Sequence, residues 1–341
     1  MTVMVLLFVL GLFTGVAAAV SLSLFAGKRV LRADGRPTRK RGLLRILMGL
    51  VGIGITLMLV AVEGGWVYAN AQFDKIERVD VDVAGDNVLA GSKGGTNYLL
   101  VGTDNREEVQ GNRSDTILVL RTGDGPARLL SIPRDLRVPL PSQGGNETRI
   151  NAAYNDGPVA LIRAVQESVG IPIDRYIEIN FVSFADLVDA LGGVTINFPN
   201  PAIDTHSGLN VEQSGDVELQ GDQALAYVRS RFYQEVIDGE VQPADGLADL
   251  SRIQRQQTFL RAVLSEAGSS RNPLHLARIG NALLGGLRVD NHMELTDALV
   301  FAWNMGRLDP IQTELPVSFI QGSGEVALAP EAQAVIQDFA A

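Results

Sequence analysis

NYLLVGTDNREEVQGNRSDTILVLRTGDGPARLLSIPRD, Asn97 to Asp135, holds three short apolar runs: NYLLVG (97–102), TILVLR (116–121) and ARLLSIP (127–133). Gly and Pro bracket them, and each is too short for an independent helix, so they read as buried strands. Gly123-Asp124-Gly125-Pro126 is a turn signal that makes the last two a hairpin. Downstream, helix-like and strand-like segments alternate. Gly157–Val169, Phe184–Leu191, Gly221–Val228 and Ser251–Ala267 read as helices, and RYIEINF (175–181) and GGVTINF (192–198) as strands. In the tail, helices are expected around Leu274–Leu284, Glu294–Met305 and Pro330–Phe339, with a strand at Gln312–Pro316. Strands alternating with helices, combined with a hairpin, imply an α/β fold: an α-β-α sandwich around a central mixed sheet.

Upstream, Val3–Ala26 is uncharged and long enough to cross a hydrocarbon core of about 30 Å. A second run, Ile46–Tyr68, ends in Trp66 and Tyr68, a pattern of interfacial anchoring. The segment between them, Lys28 to Gly42, carries seven basic residues. By the positive-inside rule that loop is cytoplasmic, so both outer ends of the helical pair and everything beyond about residue 70 lie outside. A cleaved signal peptide, hinted at by VAAAV, fits less well, because the start lacks a basic region and cleavage would strand the basic loop outside. The expected organisation is a transmembrane hairpin over 1–70, a linker over 71–95 with room for one strand, and an extracytoplasmic domain over 96–341.

Charge narrows the function classes. Of 29 basic and 39 acidic residues, eight and two fall within 1–70, which leaves 21 and 37 for the rest, a net of −16. Such a domain does not favour a nucleic-acid backbone. Its positive charge is almost all arginine, with only Lys75 and Lys93, and arginine suits bidentate pairing with phosphate or carboxylate. There is no cysteine, which excludes disulfide and thiolate chemistry. His206, His275 and His292 are too scattered for a convincing metal site.

Four polar clusters interrupt the apolar pattern. GTDNR places Asp104 directly after a buried strand, where it binds a cation or simply shapes a turn. RSDTILVL places Asp115 at a strand entrance; if the two strands pair antiparallel, Asp104 and Asp115 reach one sheet edge. Two carboxylates plus phosphate oxygens suit magnesium, and pairing with Arg106 or Arg113 is the structural alternative. SIPRD holds Arg134 and Asp135 at a strand exit, as site residues or as a local ion pair. Finally, AYVRSRF sets Arg229 and Arg231 two apart. In LSRIQRQQTFLRAVL (250–264), Arg252 and Gln256 share the inward arc of a helix with Phe259 and Val263, and Arg255 stands beside it. A charged side chain facing inward requires a partner, either a bound anion or an internal carboxylate such as Asp222, Asp245 or Asp249.

Taken in order, GTDNR, RSDTILVL, SIPRD, RINAAY (149–154), DRYIEINFVSFADLVDALGGV (174–194), LQGDQALAYVRSRF (219–232) and RIQRQQ (252–257) resemble the LytR-CpsA-Psr family over about residues 97–267. The resemblance implies a membrane-tethered phosphotransferase. It would move a glycan from a polyprenyl-pyrophosphate carrier onto a peptidoglycan hydroxyl through a phosphodiester. It also implies magnesium held by Asp104 and Asp115, and a pyrophosphate held by Arg113, Arg134, Arg229, Arg231, Arg252 and Gln256. Asp115 or Asp135 would assist deprotonation. Two other readings use the same residues: a hydrolase with water as acceptor, and a non-enzymatic wall-associated regulator or binding protein.

Overall fold

The computed structural model describes residues 39–83, 86–103, 114–123, 125–244, 248–269, 278–282, 284–305 and 310–340. The chain divides into two units, Met1–Asp74 and Lys75–Ala341. In the first, helix α1 spans Arg39–Phe73. Within it the 24-residue stretch Leu50–Phe73 contains an 18-residue window of mean hydropathy 1.9. At about 1.5 Å per residue that stretch is roughly 36 Å long, enough for a hydrocarbon core. Two of its polar side chains bond within the helix: Thr56 Oγ1 donates to the Gly52 carbonyl (2.9 Å) and Asn70 Nδ2 to the Trp66 carbonyl (2.9 Å). The other expected span, Val3–Ala26, lies outside the described residues.

The second unit is built on a seven-stranded sheet. Its strands are β1 (Glu77–Val79), β2 (Gly95–Thr103), β3 (Ser114–Gly123), β4 (Arg128–Ser131), β5 (Arg175–Asn180), β6 (Leu287–Asp290) and β7 (Ile311–Glu314). Their spatial order is β1-β6-β5-β2-β3-β4-β7. The pairs β2–β3, β3–β4 and β5–β6 are antiparallel, whereas β2–β5, β1–β6 and β4–β7 are parallel, so the sheet is mixed. The antiparallel β2–β3 pair runs from Gly95↔Gly123 to Thr103↔Ser114. The segment expected as a linker supplies β1 at one edge. Strand β6 lies in the tail, where its short LRVD sequence carries no period that would single it out.

The layers follow from burial. Strand β3 buries Ile117, Leu118, Val119 and Leu120 in succession, so both of its faces are covered, which is why TILVL reads as an unbroken apolar run. On one face Leu99, Val101, Val119 and Leu130 join a core with Leu161 and Val165 of α2 (Pro158–Ser168) and with Ile336 and Phe339 of the C-terminal helix. On the other, Leu118, Leu120 and Leu129 pack with Leu260 and Phe301 from two further helices. Helices therefore cover both faces, as the α-β-α expectation requires.

A second cluster of apolar side chains forms beside the sandwich. It draws on α3 (Phe181–Leu191), α4 (Gly221–Arg229), α5 (Ala248–Ser269) and the small strands between them. Val194–Phe198 is a strand, as its sequence predicts, but it pairs with Gly215–Leu219 outside the central sheet. Asn180 starts α3, its Oδ1 accepting from the Ser183 amide at 2.8 Å. The amide of Gly221, the first residue of α4, donates to Asp189 Oδ1 of α3 at 2.7 Å. A Cβ on Gly221 would lie 2.5 Å from the Ala185 carbonyl oxygen. The α3–α4 contact thus depends on the absence of a side chain. Gly221→Ala is expected to lower stability by about 1–3 kcal/mol through overpacking against backbone, read as a fall in melting temperature.

Candidate functional site

Helix α4 ends at Arg229, because Ser230 takes φ −59°, ψ 126° and leaves the helical region. Arg229 and Arg231 therefore straddle a helix end instead of sharing one element. The change of direction at Ser230 brings both to a cavity of about 200 Å³, together with Val228, Arg252 and Gln256. The rest of the lining is Asp204, His206, Ser207 and Phe232.

Asp204 determines the path of this turn. It ends the strand Ala202–Asp204, which pairs with Gln234–Ile237 through Ile203↔Gln234. Its side chain is fully buried. One oxygen, Oδ2, accepts from Ser230 Oγ (2.6 Å) and from the amides of Arg231 (3.0 Å) and Phe232 (2.9 Å). The other, Oδ1, accepts from the amides of His206 (2.9 Å) and Ser207 (3.3 Å). Burial pushes the Asp204 carboxyl up. The hydrogen bonds from Ser230 and from the Phe232, His206 and Ser207 amides outweigh it and hold the group below its ordinary value.

Helix α5 braces the same turn from the other side. Arg255, buried, donates through Nη2 to the Ser230 carbonyl (2.6 Å), and its guanidinium lies 4.9 Å from the Tyr233 ring centre. Gln256 Nε2 donates to the Val228 carbonyl (3.3 Å). Arg252, one turn earlier, is only 3% exposed and lines the cavity. The inward arc read from the sequence thus holds Arg252, Phe259 and Val263, all buried, with Gln256 half-buried beside them.

The structure gathers Arg229, Arg231, Arg252 and Gln256 around one cavity. It does not add Arg134 and Asp135 to that lining. Those two follow β4, where Arg134 Nε is 3.4 Å from Asp135 Oδ2 and Arg149 Nη1 is 3.4 Å from Asp135 Oδ1. Arg149 also approaches Glu325 (3.8 Å), so the first residue of RINAAY ties the β4 exit to the C-terminal hairpin. Asp104 and Arg113 lie outside the described residues, as does the side chain of Asp115. The described backbone pairs Thr103, the neighbour of Asp104, with Ser114, the neighbour of Asp115. The antiparallel pairing of β2 with β3 that the sequence argument assumed is therefore present up to that residue pair.

Near that edge, Glu178 of β5 is 1% exposed. It accepts from Tyr154 and Tyr176 hydroxyls (2.6 Å each) and from Arg288 Nη1 (3.3 Å). Burial and then the Glu178 carboxylate push the Tyr154 and Tyr176 hydroxyls above their ordinary range, so both stay protonated donors. The tyrosine of RINAAY is therefore tied into the sheet.

Sequence reasoning missed Asp204, His206 and Ser207. The only signal was DTHSG (204–208), an Asp followed by small polar residues and Gly, which marks a local turn. Its link to Ser230, 26 positions away, is invisible in sequence. Asp204→Ala leaves five donors without their acceptor and is expected to destabilise the protein by about 3 kcal/mol or more, read by chemical denaturation. Because the folded-state pKa is depressed, the Asp204 contribution is full above the unfolded value of about 4 and fades as pH falls through the folded value. Asp204→Asn should remove that acid limb from the stability–pH profile.

The LytR_cpsA_psr family model matches residues 66–314. A probable cell wall biosynthesis protein, LcpB of Corynebacterium glutamicum, is 33% identical over 307 residues, covering 76% of this chain and 68% of that protein. The polyisoprenyl-teichoic acid–peptidoglycan teichoic acid transferase TagU of Halalkalibacterium halodurans is 31% identical over 268 residues, covering 72% of this chain and 82% of that one. Among solved structures, a LytR-Csp2A-Psr enzyme from Actinomyces oris superposes with a TM-score of 0.65 at 26% identity, covering 78% of this chain and 96% of that one. The ordered motifs, the mixed-sheet sandwich and a family match spanning most of the chain lead to one assignment: this chain belongs to the LytR-CpsA-Psr family.

Proposed function

We propose that this protein is a glycopolymer–peptidoglycan transferase that uses a polyprenyl-pyrophosphate-linked glycan as donor. The observation that carries the reading is the cavity at the end of α4. Three arginines and Gln256 converge there, although residues 71–341 carry a net charge of −16. Asp204, the one carboxylate among the described lining residues, is engaged by five donors of its own turns. A local concentration of guanidinium groups in an otherwise acidic surface suits a compact polyanion. The cell wall roles named for LcpB and TagU agree with it.

In this reading Arg229, Arg231 and Arg252 hold the diphosphate and neutralise charge that grows on the leaving side, which is what phosphoryl transfer chiefly requires of a protein. Gln256, held by the Val228 carbonyl, orients a phosphate oxygen. The peptidoglycan hydroxyl attacks the sugar-bearing phosphorus, and the bond from that phosphorus to the bridging oxygen breaks. Polyprenyl phosphate leaves, the glycan phosphate becomes a phosphodiester, and the hydroxyl proton is released. Asp104 and Asp115 are the residues that would hold magnesium, whose contribution is further neutralisation of the phosphate oxygens. Arg113 and Arg134 would complete the cationic surround from the β3 and β4 side, and Asp115 or Asp135 would receive the proton. The apolar stretch Leu50–Phe73 anchors the chain in the plasma membrane, the domain faces outward, and Val3–Ala26 supplies the second span. Tethering keeps the domain at high effective concentration with a carrier confined to the same bilayer.

The test reconstitutes the full chain with a polyprenyl-diphosphate glycan and a peptidoglycan oligomer, and follows polyprenyl phosphate and the glycan–peptidoglycan phosphodiester by mass spectrometry. Arg231→Ala or Arg229→Ala should each slow transfer by about 100-fold, the scale of losing one charge-stabilising donor. Free phospho-glycan in place of the phosphodiester would identify a hydrolase, and donor binding without turnover a binding protein. Chelation with EDTA should abolish transfer and added Mg2+ restore it. A chain that transfers at full rate in EDTA has no use for the Asp104–Asp115 site.

A further inference from the structure

One wall of the arginine cavity is aromatic. His206 and Phe232 lie with ring centroids 4.4 Å apart and planes tilted by 36°. Both are open to solvent, Phe232 at 48% and the His206 side chain at 70%. Their backbones are nevertheless fixed by the same buried group: Asp204 Oδ1 accepts from the His206 amide and Oδ2 from the Phe232 amide, each at 2.9 Å. One carboxylate therefore sets the spacing of two rings that belong to different loops. The cost of ordering them is met during folding, before any ligand arrives.

A phenyl ring gives a phosphate nothing. Its position beside three guanidinium groups fits a ligand that joins an anion to a group with an apolar face. Two parts of the proposed donor border the diphosphate: the isoprenoid and the sugar. The polarity of the wall selects between them. Among the described residues the cavity lining is polar apart from Val228 and Phe232; His206 stands against the ring and Ser207 lines the same cavity. A hydrocarbon chain would strip water from these groups without replacing it. A pyranose instead offers C–H groups to the electron-rich ring face and hydroxyls to the neighbouring polar side chains.

We infer that His206 and Phe232 form the subsite for the sugar joined to the diphosphate, and that Phe232 is a specificity-determining residue for the glycan. The inference rests on the cavity being a diphosphate site, as proposed above, and the experiment separates the two. Dissociation constants are measured for the full-length protein in detergent with three probes: inorganic pyrophosphate, farnesyl diphosphate and farnesyl diphospho-N-acetylglucosamine. Phe232→Ala should weaken the sugar-bearing probe by about tenfold while shifting the other two by less than about twofold, and Phe232→Trp should restore it. Three results overturn the subsite: equal weakening of all three probes, no weakening of any, or weakening shared by both farnesyl probes but absent for pyrophosphate. That last pattern would mean the ring contacts the lipid. If wild-type protein binds none of the probes, or Arg231→Ala leaves pyrophosphate affinity unchanged, the diphosphate reading fails and the sugar subsite fails with it.

Discussion

The arrangement of the cavity depends on a buried carboxylate, Asp204, and the donors it collects. A charged group with no exposure is tolerated only when its hydrogen-bonding capacity is used, and here three donors meet one oxygen and two meet the other. Three of the five belong to residues 230–232, the point where the chain leaves α4. Without that anchor, nothing in the local sequence would hold Arg231 on the same side as Arg229. Helix α5 completes the clamp through Arg255 and Gln256, which bind carbonyls of the same turn. The cationic lining is thus preorganised by neutral backbone groups as well as by charges.

The sandwich supplies the rigidity behind this arrangement. The end of the β2–β3 ribbon at Thr103↔Ser114 sits beside Asn180, which continues into α3 through its capping bond. Helix α3 is locked to α4 by the Gly221–Asp189 contact, and α4 ends in the arginine turn. A continuous path of packed elements therefore runs from the centre of the sheet to the cavity. The buried Glu178, held by two tyrosines and Arg288, stiffens the β5 end of that path.

Charge distribution has a separate consequence. The domain is acidic overall, so the cavity's attraction for anions is local and does not extend over the surface. Under the proposed function, general repulsion of polyanionic wall polymers, combined with a focused cationic recess and an aromatic wall, would favour the diphosphate-and-first-sugar portion of a glycan over its repeating chain.

The amino-acid sequence by itself determined the strand character of 97–133, because a stretch buried on both faces must be continuously apolar. It also determined the membrane-compatible length of Ile46–Tyr68, and the inward stripe on α5 that carries Arg252 and Gln256, because helical period places them with Phe259 and Val263. Only the tertiary structure decided which cations meet. Arg229 and Arg231 share a cavity because a helix ends between them, and Arg134 lines up instead with Asp135 at the β4 exit. It likewise revealed that Asp204 governs the site. Local sequence reports periodicity and turn propensity, whereas a carboxylate 26 positions from its main partner acts through space, and space is fixed only once the strand Ala202–Asp204 pairs with Gln234–Ile237. Strand β6 was hidden for the same reason: its four residues are a strand because β1 and β5 lie on either side of them.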